Sequence, residues 1–352
     1  MFLTGIGTAV PAQCYSQQEC WRALRERPEY RRLGAPARAL LERVLTGEQG
    51  VRTRHLALAN LGEAFDLDPD ALHARFLMHA PELAARAART AMERAAIAAE
   101  EVDALVVSTC TGYLCPGVSG YAAERLGLRT DALLLDLVGQ GCGAALPNLR
   151  TAEALIASRR CARVLCVSVE VCSAALFIDN DPGVLVSACL FGDGAAAAVA
   201  SSEPGAARRL EWIDAVSRHD PGARDALRME SRGGLLRNIL TREVPQLAAE
   251  RACALLADTL ARHRLRQTDI AAWIWHAGGR TVLERLRALT GLEERHTRRS
   301  AEILERFGNL SSPFVLFVLE AALAERAPAG WWWMSAFGAG FSCHGALLRV
   351  AD

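Results

Sequence analysis

The sequence has no excess of charge of either sign and no long hydrophobic run. Its 352 residues contain 40 Lys and Arg against 40 Asp and Glu, so the formal net charge is zero at pH 7. A neutral chain offers no electrostatic basis for binding nucleic acid or an anionic membrane surface. No stretch is apolar over the roughly 18 residues that a membrane span needs. We therefore expect no nucleic-acid partner and no membrane partner.

Signals for export and for metal binding are also missing. The opening residues, MFLTGIGTAVPAQCYS, have no basic segment before a long apolar core, so they predict a first strand and turn rather than a signal peptide. Paired C-x-x-C motifs, which are typical of zinc sites, are absent. The eleven cysteines form no regular framework, which indicates free thiols in a reducing compartment. We expect a cytoplasmic protein without a metal or a bound cofactor.

What the sequence does contain is a faint internal repeat. Residues 89–112, RTAMERAAIAAEEVDALVVSTCTG, combine an amphipathic helix, an acidic turn, a short apolar strand and a glycine loop. Residues 257–279, ADTLARHRLRQTDIAAWIWHAGG, repeat that order, with Asp269 in the place of Asp103. Two further glycine-rich elements recur in the same order, and the three together indicate a duplicated chain.

The two halves, which we place at residues 1–205 and 206–352, have the composition of packed α/β structure. The chain is 51% hydrophobic, and its predicted strands alternate with helices. This alternation predicts mixed sheets covered by helices, with the strand-to-helix loops gathered at the interface of the halves. Candidate functional residues are therefore expected on those loops.

One such loop places a cysteine between two glycines. In LVGQGCGAALPNL, residues 137–149, an apolar run that predicts a strand changes into the spacing of a helix at Cys142. The unpaired amides of a first helical turn favour negative charge, so a thiol there can be held partly as the nucleophilic thiolate. The alternative is a small buried cysteine, which is the better interpretation for most of the other ten.

A histidine and an asparagine lie on strand-to-helix turns of the second half. WIWHAGGR ends a buried strand with His276 and two glycines, which let backbone approach closely. FGNLSSP puts Asn309 at a turn that opens a helix. Each residue also has an ordinary structural interpretation, as a satisfied core histidine for His276 and as a helix N-cap for Asn309. Residue patterns alone leave both interpretations open.

Together these motifs resemble the condensing enzymes of the thiolase superfamily, and most closely the type III polyketide synthases of the chalcone synthase family. The resemblance rests on GQGCGAALP around Cys142, LFGDGAAA at 190–197, WHAGG around His276, GNLSSP around Asn309 and the C-terminal FGAGFS. It implies the α/β class with a duplicated, thiolase-like αβαβα layered fold and two mixed sheets. A true thiolase would require a second reactive cysteine near the C-terminus, where Cys343 is the only candidate.

The resemblance implies a role for each of the three residues. Cys142 would store an acyl starter as a thioester. Malonyl coenzyme A would extend it by decarboxylative Claisen condensation, while His276 and Asn309 donate hydrogen bonds to the enolate oxygen. His276 would also form an ion pair with the Cys142 thiolate. The starter would arrive on coenzyme A or on an acyl-carrier protein, and the enzyme would be a homodimer.

Two other functions stay open from the sequence. A single-condensation ketosynthase would release a linear β-keto product, and a non-catalytic paralogue would keep the fold as a binding scaffold. Loss of one of the three residues would favour the scaffold, and all three are present.

The resemblance also assigns residues to a substrate pocket. Phe191 matches one of two gate phenylalanines, whereas Asn238 stands in place of the other. Further pocket positions are Cys110, Cys172, Ala175, Ser187, Phe337 and Gly338. Because Cys172 and Ala175 replace threonines and Ser187 is small, we expect a long apolar tunnel beside the nucleophile. Such a tunnel favours a medium or long fatty acyl starter and a pyrone or resorcinol product.

Few residues of this sequence match the positions at which the family binds coenzyme A. The family's basic cluster aligns with positions that are mostly not basic here. Arg52, Arg54 and Arg280 are the expected phosphate contacts, with Arg43 nearby, because a guanidinium suits bidentate phosphate binding.

Overall fold

The computed structural model describes residues 1–47, 50–206 and 208–352, and strands alternate with helices along it. The strands are β1 (Phe2–Ala9), β2 (Cys14–Ser16), β3 (Thr53–His55), β4 (Ala104–Thr109), β5 (Leu133–Val138), β6 (Arg163–Glu170), β7 (Gly194–Ser201), β8 (Arg209–His219), β9 (Leu227–Arg232), β10 (Leu235–Leu240), β11 (Ile270–Trp275), β12 (Gly330–Gly338) and β13 (Ser342–Ala351). The helices are α1 (Gln17–Arg25), α2 (Pro28–Arg32), α3 (Ala35–Thr46), α4 (Pro69–Ala95), α5 (Val118–Leu126), α6 (Ala145–Ala157), α7 (Pro182–Leu190), α8 (Val244–His263), α9 (Arg280–Thr290), α10 (Glu294–Phe307) and α11 (Phe314–Ala324). None of the helices in these ranges has the length and hydropathy required to span a lipid bilayer.

Nine of the described strands form a continuous hydrogen-bonded run in the order β11-β12-β13-β8-β1-β7-β6-β4-β5. The first half of the chain supplies β1, β4, β5, β6 and β7, and the second half supplies the other four. In the described pairing, the two sets meet at one residue pair, Phe2 with Glu211. The two mixed sheets implied by the resemblance are therefore present, and they join edge to edge at that pair.

The two halves repeat the same arrangement of strands. In the first half β4 is parallel to β6, β6 antiparallel to β7 and β7 antiparallel to β1. In the second half β11, β12, β13 and β8 follow the same sequence of orientations. The helices that precede β4 and β11 both end on a left-handed residue, Ala96 at φ 53° and Arg264 at φ 56°. The duplication indicated by the sequence is thus visible in the backbone.

Small residues let α4 lie directly on the first sheet. The strand β7, GAAAAVAS, is buried along its whole length. In β1, a Cβ added at Gly5 would lie 2.1 Å from the carbonyl oxygen of Ala91, and one at Gly7 would lie 2.3 Å from that of Ala87. Glycine is required at both positions because helix and strand backbones are in near contact. This contact fixes α4 as the outer layer of the first half.

Two helices lie between the halves. The helix α6 contacts β4 and β6 of the first half and β12 and β13 of the second, and α11 contacts β1 and β7 as well as β11 and β12. The helix α8 packs on β8, β12 and β13 as the second outer layer. The order is therefore the αβαβα layering that the resemblance implies. Both α6 and α11 are central helices, and the loops that precede them bring Cys142 and Asn309 to one region.

Candidate active site

Cys142 lies on a short 3₁₀ turn, Gly141–Gly143, between β5 and α6, at the strand-to-helix turn that the sequence predicts. Gly141 has a φ of 60°, and a Cβ there would lie 2.7 Å from the backbone nitrogen of Ala339. A Cβ at Gly338 would lie 2.8 Å from a backbone nitrogen of the same turn. The C-terminal FGAGFS loop therefore packs closely on the nucleophile turn, and its nearest contacts there are backbone atoms.

Burial raises the pKa of the Cys142 thiol to about 12. The Ser311 hydroxyl donates a hydrogen bond to Sγ at 3.2 Å and favours the thiolate, whereas the nearby Glu170 carboxylate disfavours it. Burial is the largest cause of this shift, and it opposes the partly ionised resting thiol expected from the sequence. Cys142 is a neutral thiol until a base accepts its proton.

His276 directly follows β11 and is nearly inaccessible to solvent. Its ring lies edge-on to Phe314 and Phe337, with centroids 5.2 Å and 4.9 Å away. Burial lowers the pKa of His276 to about 3. Over the described residues neither ring nitrogen has a hydrogen-bond partner, so the expected ion pair with Cys142 is not formed in this state. A neutral imidazole of this kind can accept a thiol proton and then donate it.

Backbone groups hold both the main chain and the side-chain amide of Asn309 through hydrogen bonds. Its main chain pairs with residues 190–192, and its Oδ1 accepts a hydrogen bond from the Ser311 N–H at 2.9 Å. Nδ2 donates to the carbonyl of Gly278 at 3.3 Å. The following helix, α11, has its N-cap at Pro313, so Asn309 is not the helix cap that its sequence context allows. The amide is oriented, and one N–H of its two stays available to a ligand.

The side chains of Cys142, His276 and Asn309 line one open cavity with an empty volume of about 1890 Å³, the entrance cavity. The family model for the N-terminal domain of chalcone and stilbene synthases matches residues 1–204, and the model for their C-terminal domain matches residues 216–351. The chain belongs to the chalcone and stilbene synthase family.

Relatives in this family align along nearly the whole chain. The 1,3,6,8-tetrahydroxynaphthalene synthase of Streptomyces peucetius subsp. caesius is 32% identical over 360 residues, covering 99% of this chain and 92% of that protein. Bisdemethoxycurcumin synthase of Oryza sativa subsp. japonica is 32% identical over 376 residues with the same coverage. The crystal structure of PKS-I from the brown alga Ectocarpus siliculosus aligns with a TM-score of 0.88 and 26% identity, covering 99% and 98% of the two chains. The fold is therefore the thiolase-like fold of type III polyketide synthases.

Beyond the nucleophile lies a second, smaller cavity, which we call the inner cavity, with an empty volume of about 640 Å³. Cys142 lines it, together with six of the pocket residues expected from the family pattern: Cys110, Cys172, Ala175, Ser187, Phe191 and Asn238. Phe337 lies instead on the entrance cavity against His276, and Gly338 lies against the nucleophile turn. Cys142 thus lines two cavities, the larger entrance cavity and a smaller, mostly apolar one.

Asn238, which replaces a gate aromatic of the family, ties two elements together. Its Nδ2 donates to the Ser187 hydroxyl at 3.0 Å, and that hydroxyl donates to the carbonyl of Gly183 at 2.8 Å. Asn238 lies on β10 of the β9–β10 hairpin, and Ser187 lies on α7. The hydrogen bond therefore holds the hairpin against α7 as one wall of the inner cavity.

Glu170 is a site residue that the sequence reasoning missed. It ends β6, is fully buried, and accepts hydrogen bonds from the Ser312 hydroxyl at 2.6 Å and from the Cys110 N–H at 3.0 Å. Burial raises the pKa of this carboxyl. Ser311 Oγ lies 3.4 Å from the carboxylate and 3.2 Å from Sγ of Cys142, so one hydroxyl connects the two groups. The available signal was a lone acid in the apolar strand RVLCVSVE.

The three arginines expected at coenzyme A have different surroundings. Arg52 pairs with Glu305 at 2.9 Å on the surface. Arg54 is buried and donates to two carbonyls at the C-terminal end of α7, where a cation is favoured. Arg280 lines the entrance cavity and pairs with Glu284 at 2.9 Å. Arg54 therefore has a structural role. Its guanidinium hydrogen-bonds buried carbonyls and does not line the entrance cavity.

Two further arginines lie at the entrance cavity. Arg43 and Arg242 both line it and are exposed, and within the described ranges neither forms a salt bridge. Arg242 was not expected from the sequence because it belongs to a loop after β10 that comes near Arg43 only in the folded chain. Across the same ranges, no three His, Cys, Asp or Glu side chains cluster as metal ligands would.

Proposed function

We propose that this chain loads an acyl starter on Cys142 and extends it with malonyl coenzyme A by decarboxylative Claisen condensation. The observation that carries this proposal is the position of Cys142, which lines the open entrance cavity with His276 and Asn309 and also lines the inner cavity. Thioesters enter from one side of the nucleophile. The acyl chain is accommodated on the other.

Loading begins with a proton transfer. His276 is neutral and lines the same cavity as Cys142, so it accepts the thiol proton as the sulfur attacks the carbonyl of the acyl thioester. The carbon–sulfur bond to coenzyme A breaks, and its thiolate takes that proton. The products are acyl-Cys142 and free coenzyme A, and His276 is neutral again.

Extension depends on two hydrogen-bond donors. When malonyl coenzyme A loses carbon dioxide, its thioester oxygen becomes an enolate whose charge needs donors in a buried site. The free N–H of Asn309 and an N–H of His276 supply them. The enolate carbon then attacks the thioester on Cys142, the new carbon–carbon bond forms as the carbon–sulfur bond breaks, and the sulfur leaves as a thiolate that takes a proton from water.

The starter is proposed from the cavity rather than from the relatives, whose names indicate products as different as tetrahydroxynaphthalene and bisdemethoxycurcumin. The inner cavity is lined largely by apolar side chains, among them Leu176, Val184 and Met229. A buried methylene contributes roughly 0.8 kcal/mol, so such a cavity favours a medium or long fatty acyl starter. The products would then be of the pyrone or resorcinol type.

A homodimer is proposed from the edge strand β5. In this strand Leu133, Leu134 and Val138 are 42%, 38% and 51% exposed. An exposed apolar edge strand is a template for pairing with another chain, and a second copy is the partner that always accompanies the first. All eleven cysteines are free, which supports the cytoplasm as the location.

Intact-protein mass spectrometry with acyl and malonyl coenzyme A tests the proposal. We expect the wild type to gain one acyl group, Cys142→Ala to gain none, and Cys253→Ala, a thiol of α8 outside these cavities, to behave as wild type. Acylation of Cys142→Ala at the wild-type rate would refute the assignment. A linear β-keto product would indicate the single-condensation ketosynthase, and no adduct on any variant would indicate the scaffold.

A further inference from the structure

A third cavity lies behind the inner one, enclosed by α1, α3, α7 and the 3₁₀ turn Leu61–Phe65. We call it the rear cavity, and its empty volume is about 710 Å³. Its lining is almost wholly apolar and includes Leu24, Leu41, Leu45 and Phe65. The proposed chemistry at Cys142 does not itself use this space.

The rear cavity shares a wall with the inner cavity. Cys172, Leu176, Ala188 and Phe191 line both of them, and Phe191 also lines the entrance cavity. Phe191 therefore stands where the three cavities meet. Its backbone is paired with Asn309, so this junction is held at a set position relative to the active site.

The polar groups of the rear cavity are already satisfied by the protein. Its one charged lining residue, Arg54, donates from Nε to the Gln17 side chain at 3.1 Å and from one terminal nitrogen to the carbonyls of Ala188 and Phe191. Gln17 in turn donates to the carbonyl of Cys189 at 2.8 Å. A ligand that needs charged or hydrogen-bonding partners gains little there, whereas a hydrocarbon loses nothing.

We propose that the rear cavity binds the distal hydrocarbon end of the acyl starter while its carbonyl is attached to Cys142. The inference rests on the proposed function, because the carbonyl end is placed by the nucleophile. A chain that fills the inner cavity passes the wall of Cys172, Leu176 and Ala188 and enters the rear cavity. Each methylene buried there raises kcat/KM about fourfold, and starters too short to reach the wall gain nothing from it.

Two filling variants test the proposal on separate elements. Ala64 in the 3₁₀ turn and Ala23 on α1 line only the rear cavity, so Ala64→Phe and Ala23→Phe reduce its volume without touching the inner one. Ala39→Phe, an exposed position on α3 outside the three cavities, is the matched control. The starters are butanoyl and dodecanoyl coenzyme A, and the readout is the kcat/KM of acylation.

We expect both filling variants to lower kcat/KM for dodecanoyl coenzyme A about tenfold or more and to leave butanoyl within about twofold. The control keeps both values. Equal changes for the two starters in both filling variants would overturn the proposal, even if acylation itself is normal.

A binding measurement separates this inference from the proposed chemistry. Calorimetry of dodecanoyl coenzyme A with Cys142→Ala reports tail binding without acylation. Weaker binding in Cys142→Ala/Ala64→Phe than in Cys142→Ala supports the rear cavity even if the wild type forms no adduct. Equal binding by the two proteins overturns the rear cavity and leaves the role of Cys142 intact.

Discussion

The chemistry at the scale of single residues depends on where the proton of Cys142 goes. Burial raises the pKa of the thiol to about 12 and lowers that of His276 to about 3, so both groups are neutral at rest. In the proposed loading step, a neutral pair favours concerted proton transfer, in which the thiolate exists only as the acyl thioester is attacked. The Ser311 hydroxyl, which donates a hydrogen bond to the sulfur, then stabilises the negative charge that develops on it.

Alkylation of Cys142 by iodoacetamide should depend on His276. We expect His276→Gln to slow alkylation about 100-fold at pH 7, the usual size of a general-base contribution. In that variant the rate should rise steadily from pH 7 to 10, because the thiolate fraction grows tenfold per pH unit below a pKa of about 12. Rates followed by peptide mass spectrometry check this. Equal rates in both proteins would remove His276 from the activation of the thiol.

Asn309 should matter for decarboxylation and little for loading. We expect Asn309→Ala to lose roughly two to three powers of ten in malonyl decarboxylation, the loss for one oxyanion donor, while acylation of Cys142 survives. Carbon dioxide release and intact-protein mass measure the two steps separately. Since the Asn309 side chain also accepts from the Ser311 N–H, an equal loss of both steps would show that it acts mainly by holding the turn.

At the scale of elements, the β9–β10 hairpin forms a wall of the inner cavity and is held by charge. Arg237 lies 2.9 Å from Asp179, 2.9 Å from Glu230 and 3.3 Å from Asp181, and it is largely buried. Two of these carboxylates belong to the loop before α7, and the third lies on β9. One side chain therefore clamps the hairpin to the loop, next to Asn238.

Loss of this clamp should loosen the hairpin more than it unfolds the protein. We expect Arg237→Met to speed amide exchange at 227–240 about tenfold or more, since removing one member of a buried pair leaves the others uncompensated. Hydrogen exchange read by mass spectrometry is the measurement. Arg228→Met, which removes a more exposed partner of Glu230, is the control and should change exchange little. Similar exchange in both variants would contradict a clamp at Arg237.

At the scale of the whole molecule, β5 leaves one end of the nine-stranded run open. It has no counterpart in the second half, where the corresponding run ends at β11. Its exposed leucines and valine would be unfavourable in a monomer, because an apolar edge pairs readily with other chains. The proposed homodimer covers this edge.

Leu134→Glu should convert the dimer into a monomer. A carboxylate placed at the paired edge has to be desolvated against the apolar edge of the partner, which weakens association by several powers of ten. Analytical ultracentrifugation measures the mass. Leu289→Glu on α9, equally apolar and 47% exposed, is the control and should stay dimeric. A monomeric wild type would refute the dimer, and a dimeric Leu134→Glu would place the interface elsewhere.

The sequence by itself indicated the elements and, through the family resemblance, the three residues expected to carry the chemistry. Glycines beside Cys142 and His276, the helical and strand periodicities and the repeated order are local signals, and each refers to a few neighbouring positions. The nucleophile turn follows from them, whereas the αβαβα layering was implied by the family resemblance, and the structure has both. The pocket residues around Cys142 came from the family pattern, and the structure places six of them together.

Only the tertiary structure decided the electrostatics and the shape of the site. Cys142 and Ser311 are 169 positions apart, and the thiol is neutral because of burial that no neighbouring residue reveals. The same holds for the buried Glu170, for Arg54 turned inward to cap α7, and for the rear cavity assembled from four elements. Desolvation and enclosed volume are set by atoms distant in the chain, so they arise only when the two halves and their helices close around one another.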